Sequence, residues 1–194
     1  RSREVLDGTV RLDNVPQAER THEHAIQAGR LSSKEAEIDL EAEKALSLLR
    51  EDGTTMAFPE ALAQVRQDIR QVVERLSAAK VDKITQGIEE DVIASLDEML
   101  QALKKAIKDK EKKKPSHAMG SGGPSESPLV DSLSEIRMIR TLQMRVNLRT
   151  ERYSKLLQGE QADKPELVDA LRRLAERQEH IFRITRDLSL GKNR

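Results

Sequence analysis

The chain of 194 residues has no cysteine and no tryptophan, and its aromatic residues are Phe58, Tyr153 and Phe182. Without cysteine there are no disulfides and no thiolate-bound metals. Without more rings there is no core built on aromatic area, where each side chain buries roughly 150–250 Å². Burial must come instead from Leu, Ile, Val and Ala in narrow seams. No apolar run approaches the ~20 residues that cross a bilayer as a helix. A G-x-S-x-G elbow and a phosphate-binding loop are both missing, and the glycine cluster Gly120–Gly123 sits in a linker-like stretch. These absences point away from catalysis by this chain, and nothing in it calls for a cofactor, a metal or a small-molecule substrate.

Charge, by contrast, is abundant: 35% of residues are Asp, Glu, Lys or Arg, and the formal net charge is zero. The zero hides an asymmetry. Residues 1–103 carry 13 basic and 21 acidic side chains, and residues 104–194 carry 21 and 13, so the halves stand at −8 and +8. Such polarity suits a chain whose parts pair with one another or with a second copy, and the neutral total favours pairing over nucleic-acid binding.

Helical spacing dominates the pattern. The first fifteen residues read as short and mixed, with Gly8 and Pro16 as breakers. In SSKEAEIDLEAEKALSLLRED, Ser32 or Ser33 is the expected N-cap, and Ile38, Ala42, Ala45 and Leu49 form a seam. Gly29 weakens any join between Gln17–Arg30 and that helix, and Glu51–Thr55 reads as a turn. Pro59 takes a first helical position. After it, Leu62, Val65, Ile69, Val72 and Leu76, spaced 3-4-3-4, make a coiled-coil seam. A kink or break is expected at Lys80–Gly87, ahead of Ile88, Val92, Leu96, Met99, Leu103 and Ile107. Residues 115–128, PSHAMGSGGPSESP, have the composition of a flexible linker. Two further helices are expected, Leu129–Leu157 and Pro165–Leu190, the second with Gln178 as a polar interruption of the kind that fixes register. The expected fold is all-α: an elongated helical bundle of four main helices, arranged as two coiled-coil-like hairpins. The acidic N-terminal hairpin is 1–114 and the basic C-terminal one 129–194, joined by 115–128.

The stretch EIRMIRTLQMRVNLRTERY, residues 135–153, sets Arg137, Arg140, Arg145, Arg149 and Arg152 among apolar residues. On a helical wheel Ile139, Leu142, Val146, Tyr153 and Leu157 share one face, with Ile136 at its edge. The arginines take the other side, and Met144 and Leu148 lie among them. A helix contacted on two sides has this pattern, its arginine stems covering apolar seams and its guanidinium groups pairing with acidic helices. Nucleic acid is disfavoured by the lack of interleaved aromatics and of any helix-turn-helix or zinc module. A membrane surface lacks its Trp and Phe anchors here. Lys104, Lys105 and Lys108 open the run Lys104–Lys114, which reads as a solvated helix end favoured by the helix dipole. With the arginine face, it is also the patch that would draw polyanions or anionic lipid, so peripheral membrane contact stays open.

Other constellations carry less. Glu89-Glu90-Asp91 with Asp97-Glu98 resembles a carboxylate metal site only loosely, since di-metal bundles set Glu and Glu-x-x-His groups on facing helices; a solvated acidic face is expected. His22 and His24, two apart, do not share a helix face and read as structural or exposed. His180 follows Glu176 by one turn, a weak signal alone, and His117 lies in the linker.

Two pairs of stretches resemble uncharacterised helical proteins of planctomycete bacteria. They are REDGTTMAFPEALAQVRQDIRQVVERL with ITQGIEEDVIASLDEMLQAL, and PLVDSLSEIRMIRTLQMRVNLRTERY with RLAERQEHIFRITRDL. The resemblance covers residues 45–190 apart from the linker and contains no functional motif, so it assigns no site residue. It implies export and an extracytoplasmic, periplasmic location, with the cytoplasm as the alternative. The opening at Arg1 rather than Met fits a start, with any export signal or anchor, that was removed.

The expected function is a non-enzymatic structural or protein-interaction module, an assembly or cell-envelope component. Its surfaces would be the seam Leu62–Leu76 and the helix Ile136–Leu157, and its partner a second copy or an acidic helical protein. The alternative is a polyanion- or anionic-membrane-binding protein using Lys104–Lys114 and the Arg137–Arg152 face.

Overall fold

The computed structural model describes residues 1–53, 55–112, 132–155 and 165–192. The expected linker 115–128, with His117, and Leu157 lie outside the described residues. Every regular element among them is helical: α1 (Ser2–Asp13), a short 3-10 turn (Gln17–Glu19), α2 (His22–Asp52), α3 (Ala57–Ser77), α4 (Lys83–Lys112), α5 (Ser132–Ser154) and α6 (Pro165–Ser189). The protein is an all-α helical bundle that divides into two compact units. Unit 1 comprises Arg1–Glu51 and Leu62–Ala102; unit 2 comprises Asp52–Ala61 and Leu103–Arg194.

Unit 1 packs α1, α2, most of α3 and most of α4. All five seam residues Leu62, Val65, Ile69, Val72 and Leu76 are buried, as are Val5, Leu12, Ile38, Leu46, Ile88, Val92 and Met99. Polar links tie the helices together. The Ser32 hydroxyl donates to the Val73 carbonyl at 2.9 Å, Arg66 pairs with Asp39 at 2.9 Å, and Arg3 pairs with Asp97 at 2.7 Å.

Several local expectations change. The opening segment is helical through Gly8, because this glycine is a packing site rather than a breaker: a Cβ there would lie 2.7 Å from Leu31 Cδ2. α2 runs unbroken through Gly29, and Ser32 and Ser33 lie inside it, where Ser33 returns its hydroxyl to the Gly29 carbonyl. Its buried stripe is Ile38, Ala42 and Leu46, leaving Ala45 exposed. It ends at Gly53, whose φ of 64° is the left-handed conformation that closes helices. α3 begins two residues ahead of Pro59, still within the first turn where a missing N–H is harmless. The break falls at residues 78–82, between α3 and α4. The first helix is closed by left-handed Ala79 with Lys80 N–H on the Arg75 carbonyl, and the second is capped by Asp82 on the Ile84 and Thr85 amides.

Unit 2 is built on α5 and α6, with the Asp52–Ala61 segment. Ala57, Phe58 and Ala61 are buried, as are Met138, Leu142 and Val146 of α5 and Leu167, Leu174 and Ile181 of α6. Gln143 and Gln178 join α5 to α6 by reciprocal amide bonds of 2.7 and 2.8 Å. Gln178, the interruption in the leucine pattern, thus pairs across the helices at the solvent edge.

Candidate interaction surface and buried acids

α5 carries the expected arginines on a helix whose inner stripe is Glu135, Met138, Leu142, Val146 and Arg149. The wheel read from apolar residues alone is therefore rotated. Ile136 is exposed, Ile139 and Tyr153 are half-buried, and Arg149 is buried in their stead. Glu135 explains part of the rotation. Its Oε2 accepts the Met56 and Ala57 amides at 2.9 and 2.7 Å, so it caps the start of α3 from a different helix. Four amides at a helix start lack intrahelical partners, and a carboxylate there also meets the positive end of the dipole.

Opposite this inner stripe, α5 shows a second apolar one. Leu133, Ile136, Met144 and Leu148 are 52, 55, 51 and 59% exposed. Arg137 and Arg140 stand among them, both exposed. Of the other arginines, Arg152 is exposed and Arg145 half-buried. Lys104, Lys105 and Lys108 are exposed on α4. Between α5 and α6 an open groove of about 540 Å³ is lined by Val146, Thr150, Leu171, Leu174 and Gln178, with Glu151 its single ionisable group.

The acidic patch of α4 does not lie on one solvated face. Glu89 turns inward and is 2% exposed, while Glu90 is exposed and Asp97 takes Arg3. The Thr9 hydroxyl donates to Glu89 Oε1 at 2.8 Å, and Oε2 has no partner among the described residues. Glu35 of α2 is 1% exposed, also with an unpartnered Oε2. Burial pushes the Glu35 carboxyl up to about 7, against the opposing charge of the Arg1 amino group. Burial likewise pushes Glu89 up to about 7; the Thr9 bond opposes the shift, and the charges of Glu35 and Glu90 add to it. Neither inward acid is legible locally, since Glu35 and Glu89 both stand among charged neighbours in the sequence, as surface residues do.

No group of three or more His, Asp or Glu among the described residues is placed to hold a metal. His24 is buried with Nε2 3.0 Å from the Leu12 carbonyl, and His22 is exposed. His180 lies 3.1 Å from Glu60, not on Glu176. The one Glu-x-x-His in the sequence, Glu19 to His22, spans the junction from the 3-10 turn to α2 rather than a helix face. Ser77 and Ser189, each three residues before a lysine, donate to the Glu74 and Arg186 carbonyls at helix ends. Among the described residues no helix is long and apolar enough to cross a membrane. The seam Leu62–Leu76 belongs to unit 1 and is buried, and the basic helix α5 belongs to unit 2 and carries exposed side chains. Comparison with protein-family models, curated proteins and solved structures finds no match for the chain.

Proposed function

We propose that the protein is a non-enzymatic helical interaction module whose working surface is the outer face of α5, an assembly or envelope component in an extracytoplasmic setting. One observation carries this: a helix already buried along one stripe exposes four large apolar side chains on the other, interleaved with Arg137 and Arg140. Water meets that apolar area at a cost of about 25 cal/mol per Å², and a protein partner would remove it. Arginine suits such a surface, because its stem packs and its guanidinium pairs with carboxylates. The chemistry favours an amphipathic helix with acidic flanks.

A synthetic acidic amphipathic helical peptide is the direct probe. Binding in the micromolar range is expected, weakened at least about tenfold by Met144→Glu with Leu148→Glu, at unchanged helicity. A chain that neither binds the peptide nor associates with itself removes this function. The exposed Lys104, Lys105 and Lys108 and the exposed arginines support a second function, binding of polyanions or anionic membranes. Titrations against DNA and anionic vesicles separate the two: submicromolar affinity that falls steeply with salt would put the basic groups first.

A further inference from the structure

We propose that the partner on the outer face of α5 is a second copy of this chain, lying antiparallel about a two-fold axis at Met144. This rests on α5's outer face being the working surface.

The spacing along that face is the evidence. Leu133, Arg137, Arg140, Met144, Leu148, Glu151 and Lys155 follow one another at steps of 4-3-4-4-3-4. The series reads the same in both directions from Met144. In an antiparallel pair crossing there, positions equally far from Met144 face each other. Arg137 and Glu151, each seven residues away, come together twice, as Arg137 with the partner's Glu151 and the reverse. Arg140 meets the partner's Leu148, and Lys155 meets the partner's Leu133, so each charged stem covers a leucine while its head stays in water. Met144 meets its own copy, and an unbranched thioether adapts to such a centre.

The participating groups are placed for this. Among the described residues Arg137 makes no ion pair, and Glu151 pairs only with the exposed Lys155, at 3.0 Å. Ser154 ends the helix, but the Lys155 amide still reaches the Glu151 carbonyl at 3.3 Å, so the stripe continues to its last position. A self-complementary surface of this kind closes as a dimer and does not propagate. A parallel pairing would instead set Arg137 and Arg140 against their own copies.

Because the chain has no cysteine, single thiols test the axis. Oxidised Met144→Cys is expected to give a disulfide dimer rapidly. Arg140→Cys and Leu148→Cys should cross-link slowly alone, since like positions sit about 12 Å apart along the pair, beyond a disulfide's reach. Mixed together they should form the heterodimer. Charge reversal tests the register: Arg137→Glu and Glu151→Arg each place like charges opposite twice and should weaken self-association at least about tenfold by sedimentation equilibrium. Mixing the two variants, or joining them in one chain, should restore it to within about threefold. The proposal is overturned if Met144→Cys cross-links no faster than Leu148→Cys, if the reversals do not rescue each other, or if the wild type is monomeric at about 500 μM. A monomer that still binds the acidic peptide removes the second copy and leaves the interaction face; a monomer that binds neither removes both.

Discussion

Among the described residues three glutamates are at most 2% exposed, each with one carboxyl oxygen that meets no donor there, and the two units differ in how many donors they bring to the other oxygen. In unit 1 a single side-chain donor, the hydroxyl of Thr9, serves Glu89. In unit 2 Glu135 faces the same desolvation, which raises its pKa, but two backbone amides at the start of α3 work against the rise. Burial alone therefore does not decide what an acid does. Where backbone donors converge, as at Glu135, they oppose the effect of burial; where they are scarce, the neutral acid is the comfortable form.

The largest effect should come from breaking the cap. Glu135→Ala strands the Met56 and Ala57 amides and is expected to cost about 3 kcal/mol, read as loss of hydrogen-exchange protection in α5 and α6. Glu135→Gln keeps an acceptor and should cost about 1 kcal/mol. If alanine costs as little as glutamine, Glu135 does not hold the start of α3 and the contrast between the units disappears.

The pair in unit 1 should show itself through pH. Glu35 and Glu89 titrate at about 7 in the fold, above the ordinary glutamate value near 4.5. The folded unit thus binds more protons than the unfolded chain between those limits. Its stability is full below about pH 4.5 and falls as pH rises through 7, by a few kcal/mol for the pair. Glu89→Gln should flatten that slope and stabilise unit 1 at pH 8 by about 1–2 kcal/mol, measured by urea denaturation across the range. A stability that instead does not fall from pH 5 to pH 8 in α1, α2 and α4 would mean that both acids are ionised throughout.

The same three residues show how much the sequence makes legible. The 3-4-3-4 run from Leu62 to Leu76 is a periodic, local signal, and all five side chains are buried. Helix content follows from such runs because alternatives would expose them. The inward acids carry no such signal. Glu89 stands in a run of acids that suggests a solvated face, and what turns it inward is Thr9, eighty residues away in the chain. Glu135 Oε2 is met by amides seventy-eight and seventy-nine residues distant, while Oε1 meets no donor among the described residues. Counting it as a surface residue rotates the wheel of α5 toward Ile136 and Tyr153. Gly8 reads as a breaker because its role is to admit Leu31, a neighbour brought there only by packing. The exposed stripe of α5 is half visible: Met144 and Leu148 stand out among the arginines, and Leu133 and Ile136 join them only once the inner face is fixed.

The smallest effect sharpens the comparison furthest. Thr9→Val is nearly isosteric and removes only the hydroxyl that Glu89 accepts, a side chain that is itself fully buried. A hydrogen bond to a charged group is worth about 1.5–3 kcal/mol and one to a neutral group about 1. The cost in unit 1 is therefore expected to be about 1 kcal/mol at pH 5.5, where Glu89 is protonated, and about 2 kcal/mol at pH 8.5, where it is ionised. Thr9→Ser keeps the donor and should show little of either. A cost that does not change with pH would mean that the hydroxyl serves the Val5 carbonyl, 3.1 Å away in its own helix, rather than the acid. Unit 1 would then hold two carboxyls with no donor chosen for either, and the contrast with the capped Glu135 would be wider still.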